Sequence, residues 1–300
     1  MSVNDSALKR LDKLISEKYP TLSNRHIEEA LDNGLICGPE GRKIKKGQKL
    51  ESLSGLVTEK LDEQLLKIKK GNANLKVIVI QDEADFCVIH KPPGMPSHPL
   101  SLFDENTVTQ WAFAQFKDLS ERFEPTQPTV TPHRLDTDTE GVLIVSKTPE
   151  NFQRWRDEFI QKNVTKTYLA WVQGEFTDAK TIDLPIAHDS KRKSRMVVVH
   201  DDGENPSVGL PAHSDARPLK YLPSRNISLV EVVCKTGVTH QVRVHLASLG
   251  HPLVGDSLYD VSLDTRQAQS PHHLLLASKL TTSQYSFSAD PKGFQALFLL

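Results

Sequence analysis

The chain has 300 residues, 38% hydrophobic and 25% charged, and its 37 Lys and Arg against 38 Asp and Glu leave a formal net charge of −1. That balance excludes a disordered or fibrous chain and a uniformly basic nucleic-acid coat, so any polyanion must be met by local patches. No apolar run reaches the ~20 residues of a membrane helix, and the start MSVNDSALKRLDKL has no apolar signal region, so a cytoplasmic protein without a membrane partner is expected.

The length favours more than one core. Residues 1–52 read as a small α+β unit. Ala7, Leu8, Leu11, Leu14 and Ile15 recur at helical spacing, and Ser23 fits the N-cap of a second helix with Ile27, Ala30 and Leu31 on one face. Asn33-Gly34 stops that helix. A Pro39-Glu40-Gly41 turn follows, and then the run RKIKKGQK, read as a basic hairpin. Arg42, Lys43, Lys45 and Lys46 are candidates for RNA backbone contact, and a solvated loop is the plainer alternative for such a run. Residues 53–75 are polar and read as a linker or connecting helix.

The texture changes near Val77, and residues 76–300 read as the main domain. Val77–Ile80 and Phe86–Ile89 predict two short strands, and Lys91-Pro92-Pro93-Gly94 a rigid turn. Helices are expected over 105–117, with Val108, Trp111, Ala112 and Phe116 on one face, and over 149–161, with Phe152, Trp155 and Phe159 inward. Further strands are expected at Tyr168–Val172 and Ile227–Val233. The stretch from Pro185 to Arg225, which includes Lys191-Arg192-Lys193, reads as long loops around one short strand, Met196–Val199. Strands with few helices between them predict an α+β fold with a mixed, mainly antiparallel sheet.

Two stretches carry chemistry. In TPHRLDTDTEGVLIVSK, residues 131–147, His133, Arg134 and Asp136 stand directly before Gly141 and the apolar run Val142–Val145. The run reads as a buried strand. A carboxylate beside it must be solvated, paired or put to work. In KTGVTHQVRVHLASLGHPLVGDSLY, residues 235–259, Thr239 is placed to cap a helix carrying His240, Arg243 and Ala247 on one side, with Gly250 as its stop. An arginine held there can meet Asp136 and keep it ionised. Spacing does not separate a structural ion pair from a working one. Tyr168, opening a strand after Lys166, is a third candidate, with a core tyrosine as its plain alternative.

A metal site is not expected. His240 and His245 miss the i, i+4 spacing, His272-His273 point apart, and no cysteine or carboxylate completes a ligand set. Cys37, Cys87 and Cys234 are few and far apart, and read as small buried hydrophobes. Gly38, Gly41 and Gly47 are too scattered for a phosphate loop.

The motif HRLDTDTEG followed by VLIVSK resembles the signature of the RluA-type pseudouridine synthases: His-Arg-Leu-Asp, two variable residues, Thr-Ser-Gly, then an apolar strand. VIHKPPGMPSHP, KTYLAWVQG and TGVTHQVRVHLASLGHPLVGDSLY continue the resemblance in the family's order, from about residue 77 to 280. Residues 4–51 resemble the small RNA-binding domain named after a ribosomal small-subunit protein. The resemblance implies a pseudouridine synthase fold and an enzyme that isomerises uridine in structured RNA. In that reaction the base leaves the ribose, turns and rejoins through its fifth carbon. No metal or organic cofactor is implied. Asp136 matches the catalytic aspartate, attacking the glycosidic carbon or assisting formation of a glycal. Tyr168 matches the tyrosine that packs on the base and helps remove its proton, and Arg243 the basic partner of the aspartate. His133 and Arg134 are implied as RNA-binding, holding phosphate or filling the gap left by a flipped base.

Three residues depart from the family pattern: Glu140 where serine is usual, Val238 where arginine is usual, and Leu276 where histidine is usual. The segment Pro206–Pro223 also matches poorly. The expected substrate is large-subunit ribosomal RNA ahead of transfer RNA, and the expected state is a monomer. The alternatives weighed are a catalytically weak RNA-binding or ribosome-assembly relative, and a hydrolase using Asp136 and a histidine. The hydrolase lacks a Ser or Cys nucleophile elbow.

Overall fold

The structure is a computed structural model that describes residues 8–123, 129–192, 194–200, 209–260 and 270–298. Ala7, Lys193 and Pro206, used in the reading above, lie outside the described residues.

In chain order the first elements are β1 (Lys9–Arg10), α1 (Leu11–Lys18), α2 (Asn24–Asp32), β2 (Lys49–Leu50) and α3 (Glu59–Lys70). Ser23 caps α2 by accepting the His26 N–H, as its position predicts. Helix α1 starts at Leu11, later than the apolar spacing implied, because Lys9 and Arg10 pair with Lys49 and Leu50. The basic run is therefore not a hairpin. Arg42–Gln48 is a loop between the Pro39–Gly41 turn and β2, and β2 pairs back with β1. Helix α3, inside the segment read as connecting, puts Leu61, Leu65 and Ile68 into one cluster with Leu11, Ile15, Ile27 and Leu31. Leu102, from much later in the chain, completes that cluster at 1% exposure. Glu29 accepts the Leu102 N–H at 2.7 Å and the Ser101 hydroxyl, fixing the loop that carries Leu102.

The next elements are β3 (Ile78–Asp82), β4 (Phe86–Lys91), α4 (Val108–Gln115), α5 (Leu119–Arg122), β5 (Glu140–Ser146), α6 (Pro149–Ile160), β6 (Thr165–Gln173) and β7 (Lys180–Ile182). Then come β8 (Ile186–His188), β9 (Met196–Val198), β10 (Ser214–Leu222), β11 (Ile227–Cys234), α7 (Gln241–Ser248), β12 (Leu275–Thr281), β13 (Ser286–Ser288) and α8 (Lys292–Ala296). Among the described residues, nine strands form one sheet in the order β3-β4-β5-β12-β6-β11-β10-β7, with β13 on β12. Among the described strands only β5 and β12 pair in parallel, so the sheet is mixed and mainly antiparallel. The 185–225 region holds more structure than its composition implied: β8 pairs with β9, and the nine-residue β10 pairs with both β11 and β7.

Side-chain alternation explains the apolar run at 142–145. Val142 and Ile144 join a cluster with Trp155 of α6 and Leu276 of β12. Leu143 and Val145 join one with Val108 and Trp111 of α4 on the opposite face. Further along that opposite face, Ala170 and Val172 pack with Val242 and Leu246 of α7. Tyr168 packs against both clusters of this face, at the seam between α4 and α7. Gly141 lets β5 reach this depth. It sits at φ +115°, and a Cβ there would overlap the backbone of Ala277 in β12.

Candidate active site

The loop from Pro132 to Thr139 leads into β5 and lines a cavity of about 390 Å3. That volume lies within the range usual for small-molecule sites. His133, Arg134, Asp136, Tyr168, His240 and Arg243 all face it. Arg42, Lys43, Lys45 and Lys46 lie apart, on the loop of the N-terminal region. Arg42, Lys43 and Lys45 are exposed there, whereas Lys46 pairs with Glu28 at 2.7 Å.

Arg243 is held by two carboxylates. Its Nε and Nη2 donate to Asp256 at 2.7 and 2.9 Å, and its Nη1 donates to Asp136 Oδ2 at 2.9 Å. The forked pair with buried Asp256 fixes the guanidinium plane, and the remaining nitrogen then aims at Asp136. Burial alone would raise the Asp136 pKa. The positive charges of His240 and Arg243 and the Arg243 hydrogen bond outweigh it, and the carboxyl is held below its ordinary range. Asp136 Oδ1 makes no hydrogen bond to the described residues.

His240 does not belong to the helix that Thr239 was placed to cap. Helix α7 begins at Gln241, and His240 precedes it in the left-handed conformation, φ +58°. Two contacts accompany that turn. Nδ1 meets the Tyr259 hydroxyl at 2.8 Å, and Nε2 lies 3.8 Å from Asp136 Oδ2. The Tyr259 hydroxyl also accepts the Met196 N–H at 2.9 Å, so it fixes the ring from the Nδ1 side and leaves Nε2 turned toward Asp136.

The backbone around Asp136 is tied down from below. Lys91 is fully buried, and its Nζ donates to the carbonyls of Pro92, Met95 and Thr137 at 2.7–2.9 Å. Burial pulls its pKa down to about 7 against the attraction of Asp138, Asp136 and Glu140. Thr139 bonds His273 at 2.9 Å, Asp138 pairs with His272 at 2.9 Å, and Glu140 pairs with His90 at 3.2 Å. Glu140 thus enters the loop with its own histidine partner. His133 turns to the interior: its Nε2 accepts the Ile144 N–H at 3.0 Å, and its ring lies tilted against Phe159 with centroids 4.5 Å apart. Burial and the charge of Lys166 push its pKa down to about 3. Arg134 is exposed and makes no ion pair among the described residues.

Tyr168 makes no hydrogen bond through its hydroxyl to the described residues. Burial, with Cys234 and Asp136 adding to it, raises its pKa well above the ordinary phenol value, so it stays a phenol. Leu276 is fully buried opposite Glu140 in the β5–β12 pairing, and Val238 lines the cavity mouth. No group of metal-ligating side chains occurs among the described residues.

The sequence reading quoted Asp256 and Tyr259 inside a motif without giving them roles, and treated Lys91 as part of a turn. The local signals were a Gly-Asp pair after an apolar run and a lysine directly behind a β-branched strand. The contact that brings each to the site lies elsewhere in the chain: Lys91 reaches Thr137, and Asp256 holds Arg243 of α7.

The family described as RNA pseudouridylate synthase matches residues 85–248. A protein of Aquifex aeolicus named an uncharacterized RNA pseudouridine synthase is 30% identical over 83% of this chain and 76% of its own length. A Zymomonas mobilis protein named ribosomal large subunit pseudouridine synthase D is 28% identical over 96% of this chain and 92% of its own. The solved structure of human RNA pseudouridylate synthase domain containing 1 superposes with a TM-score of 0.58 at 26% identity, covering 72% of this chain and 84% of that one. The matched residues run from β4 through α7 and so span the strand, loop and helix that line the cavity. The chain belongs to the RNA pseudouridylate synthase family and is an RNA pseudouridine synthase.

Proposed function

We propose that the cavity receives one uridine flipped out of large-subunit ribosomal RNA, and that Asp136 acts on its ribose. The observation that carries this reading is the division of labour at Arg243. Two of its nitrogens are locked on Asp256, and the third keeps Asp136 ionised while Oδ1 stays open to a substrate. A carboxylate nucleophile or base must be charged and oriented before the substrate arrives, and this arrangement supplies both conditions.

The reaction conserves atoms. The bond from the ribose C1′ to N1 breaks, a bond from C1′ to C5 forms, C5 loses a proton and N1 takes one. Asp136 works either by attacking C1′ or by assisting formation of a glycal. Tyr168 packs on the detached base. Its raised pKa suits a phenol that orients the base and argues against a standing phenolate as the proton acceptor. Arg134 meets phosphate at the mouth, and His133 holds the loop to β5. The small N-terminal region, residues 1–52, adds RNA backbone contact through Arg42, Lys43 and Lys45, with Lys46 shared with Glu28. The name carried by the Zymomonas mobilis relative supports a ribosomal substrate.

The test is a map of pseudouridine across total RNA from cells with the gene, without it, and with Asp136→Asn. Loss of the same ribosomal positions in both altered strains is the expected outcome. Turnover surviving in Asp136→Asn overturns the assignment of the aspartate.

A further inference from the structure

Two residues at the mouth of the cavity have no part in the chemistry proposed above. Ile160 ends α6 and lines the cavity, yet it is 67% exposed. Single exposed apolar side chains are common, and what sets this one apart is its surroundings. Arg156, one helical turn earlier on the same face, also lines the cavity, is exposed, and makes no ion pair among the described residues. Arg134 lines the same cavity and is in the same condition. Phe159, next to Ile160 in the chain, lies tilted against His133, and Lys166 Nζ lies 5.9 Å from the Phe159 ring. In a chain of net charge −1, the lip therefore joins an apolar surface to two unpartnered guanidiniums.

Flipping a uridine out of a strand leaves the base beside it with one bare face and a phosphate within a few ångströms. An apolar side chain covers such a face, and a guanidinium takes such a phosphate. We propose that Ile160 and Arg156 form a subsite for the nucleotide adjacent to the target uridine, Ile160 packing on its base and Arg156 binding its phosphate. The proposal rests on the reading of the cavity as the uridine site. An aliphatic side chain packs on a base without reading its edge, so the subsite accepts any base and fails only where the base is missing.

The test uses purified protein and total RNA from cells lacking the gene, which carries the target uridine unmodified. The double variant Ile160→Ser with Arg156→Gln raises the RNA concentration at half-maximal rate about tenfold and lowers kcat by less than twofold. Ile78→Ser, at a 70% exposed position on the edge strand β3, changes neither. A photo-crosslinking amino acid placed at position 160 marks nucleotides within two positions of a modified uridine. An unchanged RNA dependence in the double variant, or crosslinks far from every modified uridine, overturns the subsite. Failure of the underlying reading looks different: the wild-type protein forms no pseudouridine in that RNA. Crosslinking at 160 then still decides, since RNA held at the lip supports the contact and its absence removes it.

Discussion

The Ser97 hydroxyl bonds both backbone groups of Leu135, accepting its N–H and donating to its carbonyl, each at 3.0 Å. Leu135 is the residue before Asp136, and both Ser97 and Leu135 are buried. Replacing Ser97 by Ala orphans a buried donor and a buried acceptor, at about 1–3 kcal/mol. The expected outcome is a lower melting temperature and a kcat reduced roughly tenfold, with RNA affinity nearly unchanged. Single-turnover kinetics beside a binding titration checks this, and Ser97→Thr restores much of the rate. A kcat equal to that of the wild type would show that Asp136 keeps its place without the serine.

Asp256 is expected to matter for the reaction although it need not touch the substrate. Asp256→Ala leaves the Arg243 charge buried beside a single carboxylate, and breaking such a pair costs about 3–5 kcal/mol. The side chain of Arg243→Lys presents one ammonium where three nitrogens now reach two carboxylates. That variant should stay folded and lose on the order of 100-fold in kcat. Circular dichroism and rate measurements on the same preparation separate the two effects. Full activity in Arg243→Lys would reduce the arginine to a bare counter-charge.

Three histidines couple stability to acid. His98, His133 and His273 have pKa values pushed down to about 4, 3 and 4, with burial the leading cause in each. In the unfolded chain each returns to ~6.5. Between the two values the unfolded state binds more protons, so stability rises with pH, is complete above ~6.5 and falls on acidification. Removing one such group should flatten the slope between pH 6 and 4 by about 1.4 kcal/mol per unit. His133→Gln is the variant of choice, because an amide oxygen can still accept the Ile144 N–H. Denaturant titrations at pH 4, 5, 6 and 7 measure it, and parallel curves for the two proteins would contradict the assignment.

The N-terminal loop makes a separate electrostatic prediction. If Arg42, Lys43 and Lys45 each neutralise a phosphate, changing all three to Ala reduces the slope of log affinity against log salt by about 2–3. Binding is best followed with Asp136→Asn, so that no turnover intrudes. An unaltered slope would take the loop out of the RNA footprint.

What the sequence made legible follows from locality. The run Val142–Val145 announces a strand because both of its faces are buried, and residues 149–161 announce α6 because Pro149 opens it and its apolar residues recur at helical spacing within one segment. Asp136 was legible for a similar reason, since its polar cluster abuts that run. Strand β10 was not. Its sequence SDARPLKYL has few apolar positions and a proline at a register shift, and it is held in place by pairing on both edges. The start of α7 was misplaced because His240 is turned left-handed beside Tyr259 and Asp136, which are distant in sequence. Lys91 was invisible as a site residue because it reaches Thr137, 46 residues on, and Asp256 because spacing alone does not show that it holds Arg243.

Leu102 has a consequence for how the chain can be cut. It belongs to the loop after β4, yet its side chain seals the cluster built by α1, α2 and α3. That same loop carries Met95, whose carbonyl helps hold Lys91, and Ser97, which holds Leu135 beside Asp136. Deleting residues 1–75 would therefore strip the cover from Leu102 and slacken the wall of the cavity at Asp136 in one stroke. The front of this protein is a keystone of its active half, and a trimmed version would be a weakened enzyme as well as a shorter one.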